Sequence, residues 1–168
     1  MKNSLRSLLG IIVFLWMNMA FASLLIPIYL TSSNTPKPIG TVKADDTIYG
    51  LLLTPNLKGL PPGLHGFHIH EGTSCGNHGM AAQGHLDPEH TMQHMGPYNG
   101  AGHLGDMPAL VVNANGTATQ QVLAPRLKLD EIKGHTLMIH AGGDNYSDQP
   151  QKLGGGGVRI ACGVIPFY

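Results

Sequence analysis

Residues 64–106 read LHGFHIHEGTSCGNHGMAAQGHLDPEHTMQHMGPYNGAGHLGD, and eight of the ten histidines of the chain lie in this stretch. Its first part, from His65 to Glu71, alternates in character, which predicts a strand. From Gly72 to Pro108 neither a strand period nor a helix period is sustained. A segment of this length without regular structure is uncommon in a compact domain and is usually functional or disordered. The histidines and glycines in it predict a metal site built on loops.

On both sides of this stretch the sequence predicts short strands. They are expected at residues 24–30, 39–42, 47–53, 109–112, 117–123, 137–140 and 158–164. High Gly and Pro content supports a loop-rich β protein with one domain. Seven or eight short strands with turn-rich connections and two long loops, 72–108 and 141–157, predict a β-sandwich or barrel.

Several connections can also be assigned. Pro27 cannot donate a ladder hydrogen bond, so we expect an edge position for the first strand. We expect a turn at residues 44–46 between the second and third strands, and a hairpin turn at residues 113–116 before the return strand 117–123. A short helical turn is expected within residues 127–132.

The N-terminus has the pattern of a signal peptide. Lys2 and Arg6 precede an apolar run at residues 8–16, and Ala20-Phe21-Ala22 supplies a small-x-small cleavage site. We therefore expect a signal peptide at 1–22, a mature domain at 23–168 and no membrane span after cleavage. The alternative is an uncleaved anchor, because no charged residue occurs between Ser7 and Leu30. Equal numbers of acidic and basic residues give no indication of a nucleic-acid partner.

Cys75 and Cys162 are the two cysteines of the chain, so only one internal disulfide can form. Export to an oxidising compartment favours that bond over two buried free thiols. Closing so long a loop is worth about 4 kcal/mol in the chain-entropy model.

One candidate metal site lies on strands. His68 and His70 are two residues apart, so both imidazoles leave the same face of a strand and can share one ion. His140 ends another apolar strand and can add a third ligand. An all-imidazole site suits copper as well as zinc.

A second candidate site lies on the long loop. His85, His94 and His103 are nine residues apart, and Asp106 follows three residues after the last. Three histidines and one aspartate fit tetrahedral structural zinc. The residues alone therefore predict two transition-metal sites and no particular reaction.

Several motifs closely resemble copper/zinc superoxide dismutase, over about residues 24–166 and in the same order. The motifs that carry this resemblance are GFHIHE at 66–71, GHLDP at 84–88, GHLGD at 102–106 and RIACG at 159–163. The Gly-Pro-Tyr after His94 and LMIHAGGDNYSD at 137–148 are similar to the exported bacterial branch, which implies a periplasmic location. The resemblance implies a Greek-key β-sandwich, or flattened barrel, of about eight antiparallel strands. It also implies disproportionation of superoxide by cycling between Cu(II) and Cu(I).

The resemblance assigns roles residue by residue, with one copper ion and one zinc ion per chain. The copper ligands it implies are His68, His70, His85 and His140. The zinc ligands it implies are His85, His94, His103 and Asp106, so that His85 bridges the two ions. Among the other residues, Arg159 docks the superoxide anion, Asp144 links His68 to His94, and Cys75 and Cys162 form the family disulfide.

The remaining histidines favour simpler interpretations. We expect His65, His78, His90 and His135 to be packed or solvated rather than metal ligands. The rival functions are a non-catalytic periplasmic protein that stores or delivers copper or zinc, and a zinc-stabilised interaction module. Arg159 argues against storage, because storage needs no anion-docking group. A homodimer is compatible with the family, although the sequence identifies no self-complementary patch.

Overall fold

The computed structural model describes residues 23–32 and 35–167. The predicted signal peptide and its cleavage site lie outside the described residues. In chain order the strands are β1 (Ser23–Leu30), β2 (Lys37–Thr47), β3 (Gly50–Lys58), β4 (Gly63–His65), β5 (Phe67–His70), β6 (Leu110–Val112), β7 (Thr117–Ala118), β8 (Val122–Ala124), β9 (Thr136–His140) and β10 (Arg159–Val164). One α-helical turn, α1 (Leu129–Ile132), and two 3-10 turns, Met80–Ala82 and Leu153–Gly155, complete the regular structure of that part of the chain.

Eight of the strands form one antiparallel sheet. Its order is β5-β9-β10-β1-β2-β3-β7, and β8 pairs with β3 beside β7. The other two strands, β4 and β6, pair with each other. The predicted all-β architecture of about eight antiparallel strands is therefore confirmed. Within the described residues, no helix has the length and apolar character needed to cross a membrane.

Alternation along the strands explains the core. In β1 the even-numbered side chains Leu24, Ile26 and Ile28 are buried, whereas their odd-numbered neighbours are exposed. Phe67 and Ile69 of β5 are fully buried in the same apolar cluster. Each such side chain contributes about 1.5–3 kcal/mol relative to full exposure. The core therefore fixes β5, which carries two of the candidate ligands.

Two expected connections are wrong in detail. Residues 44–46 continue β2 and pair with β3, and the turn instead lies at Ile48 and Tyr49. The Thr47 hydroxyl closes that turn by donating to the Gly50 carbonyl at 2.7 Å. The strand at 117–123 also differs, because its two parts β7 and β8 pair with β3 rather than with β6. The hairpin turn itself is present, since the Asn113 amide donates to the Thr117 carbonyl.

The expected edge position of β1 is also wrong. This strand lies between β2 and β10. Its ladder with β10 includes only Tyr29 and Leu30, beyond an irregularity between Ile28 and Tyr29. Pro27 therefore lies in an inner strand at a position that pairs with β2 alone, where a missing donor is tolerated.

The predicted disulfide is confirmed. Cys75 and Cys162 are bonded and are 87 residues apart in sequence. The bond ties the start of the long loop to β10, the strand that also carries Arg159. It is one of the connections that hold the loop against the sheet.

Candidate metal centre

Four buried histidines converge beside β5 and β9. His68 and His70 lie on β5, and His140 ends β9. These strands are hydrogen-bonded neighbours, so their side chains share one face of the sheet. His85 joins them from the long loop, and one ligand atom of each residue lies within 4.8 Å of all the others. We call these four residues the strand cluster.

In the strand cluster, the outer nitrogen of three histidines has a hydrogen-bond acceptor. The pairs are His68 Nε2 with Asp144 Oδ2 at 2.7 Å, His70 Nδ1 with the Gln83 carbonyl at 2.9 Å, and His140 Nδ1 with the Gly157 carbonyl at 3.2 Å. These acceptors fix the ring orientations and leave the other nitrogens facing inward. Accordingly, His70 Nε2 and His140 Nε2 lie 3.3 Å apart.

A second cluster is built by the long loop alone. His85, His94, His103 and Asp106 are all buried, and their ligand atoms also lie within 4.8 Å of one another. Asp106 Oδ1 lies 2.9 Å from Nδ1 of both His85 and His94, and 3.4 Å from Nδ1 of His103. We call these residues the loop cluster. His85 belongs to both clusters, and its two ring nitrogens face opposite ways.

Backbone pairing holds the loop beside β5. The Leu86 amide donates to the Ile69 carbonyl at 2.8 Å, and the Ile69 amide donates to the Gly105 carbonyl at 3.0 Å. The Gly105 amide in turn donates to the Leu86 carbonyl at 2.9 Å. A Cβ on Gly105 would lie 2.2 Å from the Ile69 carbonyl oxygen, so only glycine fits here. These backbone hydrogen bonds fix the positions of both clusters relative to β5.

Asp144 links the two clusters through its carboxylate. Oδ2 accepts from His68 Nε2 and Oδ1 accepts from His94 Nε2, each at 2.7 Å. The Tyr146 amide also donates to Oδ1 at 2.7 Å. The side chain of Asp144 is fully buried. The structure therefore places it between the two histidines that the family resemblance named.

The histidine nitrogens that face into the two clusters indicate whether these residues fit metal ions. Among the described residues, His68 Nδ1 and His85 Nε2 are buried without a hydrogen-bond partner. His94 Nδ1 and His103 Nδ1 are also buried, and the nearby acceptor is Asp106 Oδ1, at 2.9 and 3.4 Å. Burying a polar atom without a partner is costly, and a bound ion removes that cost. The strand cluster consists of imidazoles, a donor set that suits copper or zinc. The loop cluster consists of three imidazoles and a carboxylate, a donor set that suits zinc. The residues present therefore fit both metals.

Histidine must be neutral to bind a metal ion, which holds for the strand cluster, whereas His94 has to release a proton when an ion binds. Burial is the main reason that the pKa of His68 is lowered to about 3 and that of His140 to about 4. Both rings are therefore neutral at pH 7. Burial alone would lower the pKa of His94, but the carboxylates of Asp106 and Asp144 raise it to about 9. Despite burial, hydrogen bonds from histidines hold the pKa of both carboxyls well below its usual value.

Arg159 lies at the mouth of the strand cluster. It starts β10 and is the ladder partner of His140 on β9. Its guanidinium donates to the Gly79 carbonyl at 2.6 Å and to the Gln83 carbonyl. Since the Gln83 carbonyl also accepts from His70, one backbone oxygen connects the cation to the cluster. Arg159 is half-buried, and burial lowers its pKa from its usual value.

Two residues that hold the loop cluster were not found from the sequence. Arg126 donates to the carbonyls of Gly102 and His103 at 2.9 and 3.0 Å. Asp148 accepts from the His94 amide at 2.9 Å. Both act on backbone atoms from distant positions in the chain, and no local motif marks that role.

The four remaining histidines lie outside both clusters, and three have identified backbone contacts. His65 contacts the carbonyls of His140 and Pro61 at 2.7 and 2.8 Å. His78 donates to the Thr31 carbonyl at 2.9 Å, and His135 donates to the Glu71 carbonyl at 2.8 Å. His90 is exposed and has a left-handed backbone with φ of 53°.

The family model, the relatives and the solved structure described below all indicate the same family. A family model described as copper/zinc superoxide dismutase matches residues 39–165. The copper-zinc superoxide dismutase of Photobacterium leiognathi is 55% identical over 144 residues, covering 81% of this chain and 83% of that protein. The one of Legionella pneumophila is 55% identical over 168 residues, covering 98% of this chain and 99% of that protein. The solved Cu/Zn superoxide dismutase from Brucella abortus superposes with a TM-score of 0.81 at 45% identity, covering 86% of this chain and 99% of that one.

Proposed function

The chain belongs to the copper/zinc superoxide dismutase family, and we propose that its two histidine clusters and Arg159 carry the reaction of that family. The reaction converts two superoxide anions and two protons into dioxygen and hydrogen peroxide. The chain is thus an oxidoreductase, and its substrate is superoxide. The observation that carries the proposal is the pair of buried clusters that share His85.

In the proposed assignment the strand cluster holds copper and the loop cluster holds zinc. The all-imidazole donors of His68, His70, His85 and His140 suit copper, and the carboxylate of Asp106 with three imidazoles suits zinc. Copper, when bound, supplies one-electron exchange between Cu(II) and Cu(I), whereas zinc has no redox chemistry and organises the loop. Asp144 then keeps His68 and His94 oriented toward their separate ions.

Arg159 is proposed to dock the anion. A guanidinium is a permanent cation with a planar fork of donors, which suits a small oxyanion. Its contacts with Gly79 and Gln83 fix it beside the strand cluster without neutralising its charge, because both partners are carbonyls. Attraction by this cation would weaken as salt is added.

We propose that His85 transfers a proton to the forming peroxide. Its Nδ1 lies 2.9 Å from Asp106, and its Nε2 is buried in the strand cluster with no hydrogen-bond partner among the described residues. Nε2 can therefore take up a proton and pass it to the forming peroxide, while Nδ1 stays fixed.

We also propose export to the periplasm, with cleavage after Ala22 leaving the domain 23–168. The disulfide supports an oxidising compartment. N-terminal sequencing of protein from the periplasmic fraction should begin at Ser23. An intact Met1 in the membrane fraction would contradict cleavage. The homodimer stays a prediction, which sedimentation velocity can test.

The decisive experiment is metal analysis of the purified mature protein combined with a superoxide-decay assay. We expect one copper and one zinc per chain and fast decay. Zinc alone, with no activity after copper is added, would favour the interaction module. Both metals without activity would favour storage or delivery.

Arg159→Ala tests the docking role separately. The variant should keep both metals, because Arg159 is not a ligand, and should lose more than about tenfold in rate, as expected when a charged hydrogen-bond partner is removed. The loss should shrink at high salt, where the parent loses its own electrostatic advantage. Equal rates for variant and parent at matched copper content would refute the role.

A further inference from the structure

Arg159 is held at both ends by one closed circuit of hydrogen bonds. Its guanidinium donates to the Gly79 carbonyl at 2.6 Å. The preceding residue, His78, donates from Nδ1 to the Thr31 carbonyl at 2.9 Å. The Thr31 hydroxyl donates to the carbonyl of Arg159 at 2.6 Å. The circuit therefore returns to the residue from which it starts.

The backbone of the circuit adopts a conformation that needs support. Asn77, His78 and Gly79 are all left-handed, with φ of 51°, 52° and 83°. A left-handed residue other than glycine costs about 1 kcal/mol or more. This turn directs the His78 ring toward Thr31 and the Gly79 carbonyl toward Arg159. Backbone hydrogen bonds also support this turn, since the Gly79 amide donates to the Cys75 carbonyl at 3.1 Å and the Ala82 amide donates to the Gly79 carbonyl at 3.2 Å. The His78 contact adds a link from the turn to Thr31, which itself binds the Arg159 carbonyl.

Packing alone provides little of the support. His78 is exposed, and it lines two neighbouring cavities of about 490 Å³ and about 390 Å³. Leu30 and Thr31 line both cavities as well, and Arg159 lines the smaller one. Among the described residues, the Thr31 carbonyl is the identified hydrogen-bond partner of the ring, and this contact restrains it.

We propose that His78, acting through Thr31, is a positioning residue for the guanidinium of Arg159. The proposal rests on the docking role of Arg159 given above. His78 touches neither cluster and supplies no ligand. Its contribution is to hold the Gly79 carbonyl, which is one of the two carbonyls that accept from the Arg159 guanidinium. Loss of the contact should leave both metals bound and the cation misplaced.

The test compares two substitutions that both tolerate a left-handed backbone. His78→Gly removes the donor without adding strain, and His78→Asn keeps a donor near the position of Nδ1. The probe is phenylglyoxal, an arginine reagent, applied to the copper- and zinc-loaded protein and read by peptide mass spectrometry. We expect Arg159 to be modified about fivefold faster in His78→Gly than in the parent. A factor of about five corresponds to the free energy of one lost hydrogen bond. His78→Asn should restore the slow rate.

The chain provides two controls. Arg126 is the other arginine of residues 23–168 and is bound to two carbonyls far along the loop, so its labelling rate should not change. His90 has the same left-handed backbone, and His90→Gly should leave both arginines as they are in the parent. Superoxide decay per bound copper should fall in His78→Gly and not in His78→Asn or His90→Gly.

Several results would overturn the proposal. The modification rate of Arg159 could stay unchanged in His78→Gly, or it could rise equally in His78→Asn. The modification rate of Arg126 could also rise equally, which would indicate general loosening of the structure. Should His78→Gly fail to fold, Thr31→Val against Thr31→Ser repeats the comparison from the other end of the circuit. A parent without superoxide activity would refute the proposed function and yet leave the labelling comparison readable.

Discussion

The strand cluster and the loop cluster use similar side chains but are held in place by different means. His68, His70 and His140 of the strand cluster sit on β5 and β9, where ladder hydrogen bonds and the apolar core fix the backbone. The loop cluster has no strand of its own. Its backbone is held by side chains from elsewhere, namely Arg126 and Asp148, and by pairing with Ile69.

This difference indicates which site depends on its ion. A strand keeps its side chains in position whether or not a ligand is bound, because its backbone bonds are internal to the sheet. A loop whose hydrogen bonds form turns and no continuous ladder opens more easily, and a bound metal supplies part of its order. The strand cluster should therefore be preorganised, and the loop cluster should be completed by zinc. Three changes test this contrast.

The largest effect is expected from the disulfide that ties the long loop to β10 of the sheet. Replacing both Cys75 and Cys162 by serine should lower the free energy of unfolding by about 4 kcal/mol, because the bond closes a long loop in the unfolded chain. Urea denaturation of the metal-free proteins measures the change. Hydrogen exchange should rise more in the long loop than in β5. A change confined to β5 would contradict the assignment of the loop as the weaker region.

A smaller effect is expected from Asp106→Asn. Asp106 Oδ1 is the common neighbour of His85, His94 and His103, so the loop cluster loses its charged ligand. Zinc affinity should fall more than about 100-fold, the upper range for partners that only orient ligands. Copper should stay bound, since the strand cluster contains no aspartate. Chelator competition with metal analysis measures both.

The matched control is Asp130→Asn, because Asp130 is exposed and pairs only with Lys133 at the surface among its described contacts. It should change neither metal. Equal losses of copper and zinc in Asp106→Asn would show that the two clusters are not independent.

The same contrast explains how much could be predicted from the sequence. Period-two spacing places His68 and His70 on one face of a strand, and apolar runs located β9 and β10. The turn at residues 44–46 was mispredicted because Asp45 and Asp46 are typical turn residues, yet they continue β2 here. The Asp46 carboxylate accepts a hydrogen bond from the Leu129 amide at 2.8 Å, and this bond ties α1 to the sheet. Tertiary contacts of this kind override local preference.

The supports of the loop cluster were beyond prediction for a physical reason. Arg126 and Asp148 bind backbone groups, so any polar residue that reached the same carbonyl or amide could serve. No spacing follows from that requirement. Ligand residues, in contrast, must have specific chemistry and therefore leave a pattern that can be recognised.

The smallest of the three effects is expected from Gly154→Ala, which addresses the link between the clusters. A Cβ at Gly154 would lie 2.0 Å from Asp144 Oδ1 and 2.8 Å from His94 Nε2, so Asp144 must move. Zinc affinity should fall about tenfold, as for loss of an orienting partner. Copper affinity should fall less, because β5 still holds His68. Competition with a zinc chelator gives the measurement.

Gly155→Ala separates this displacement from backbone strain. The two glycines have nearly the same φ, 72° and 74°, so alanine carries a similar backbone penalty at either position. At Gly155, however, the nearest atom to the new Cβ is Oε1 of Gln151 at 3.3 Å, the far end of a flexible side chain. Gly155→Ala should therefore leave zinc affinity unchanged. Equal losses in the two variants would assign the effect to strain in the loop and would remove Asp144 from the explanation.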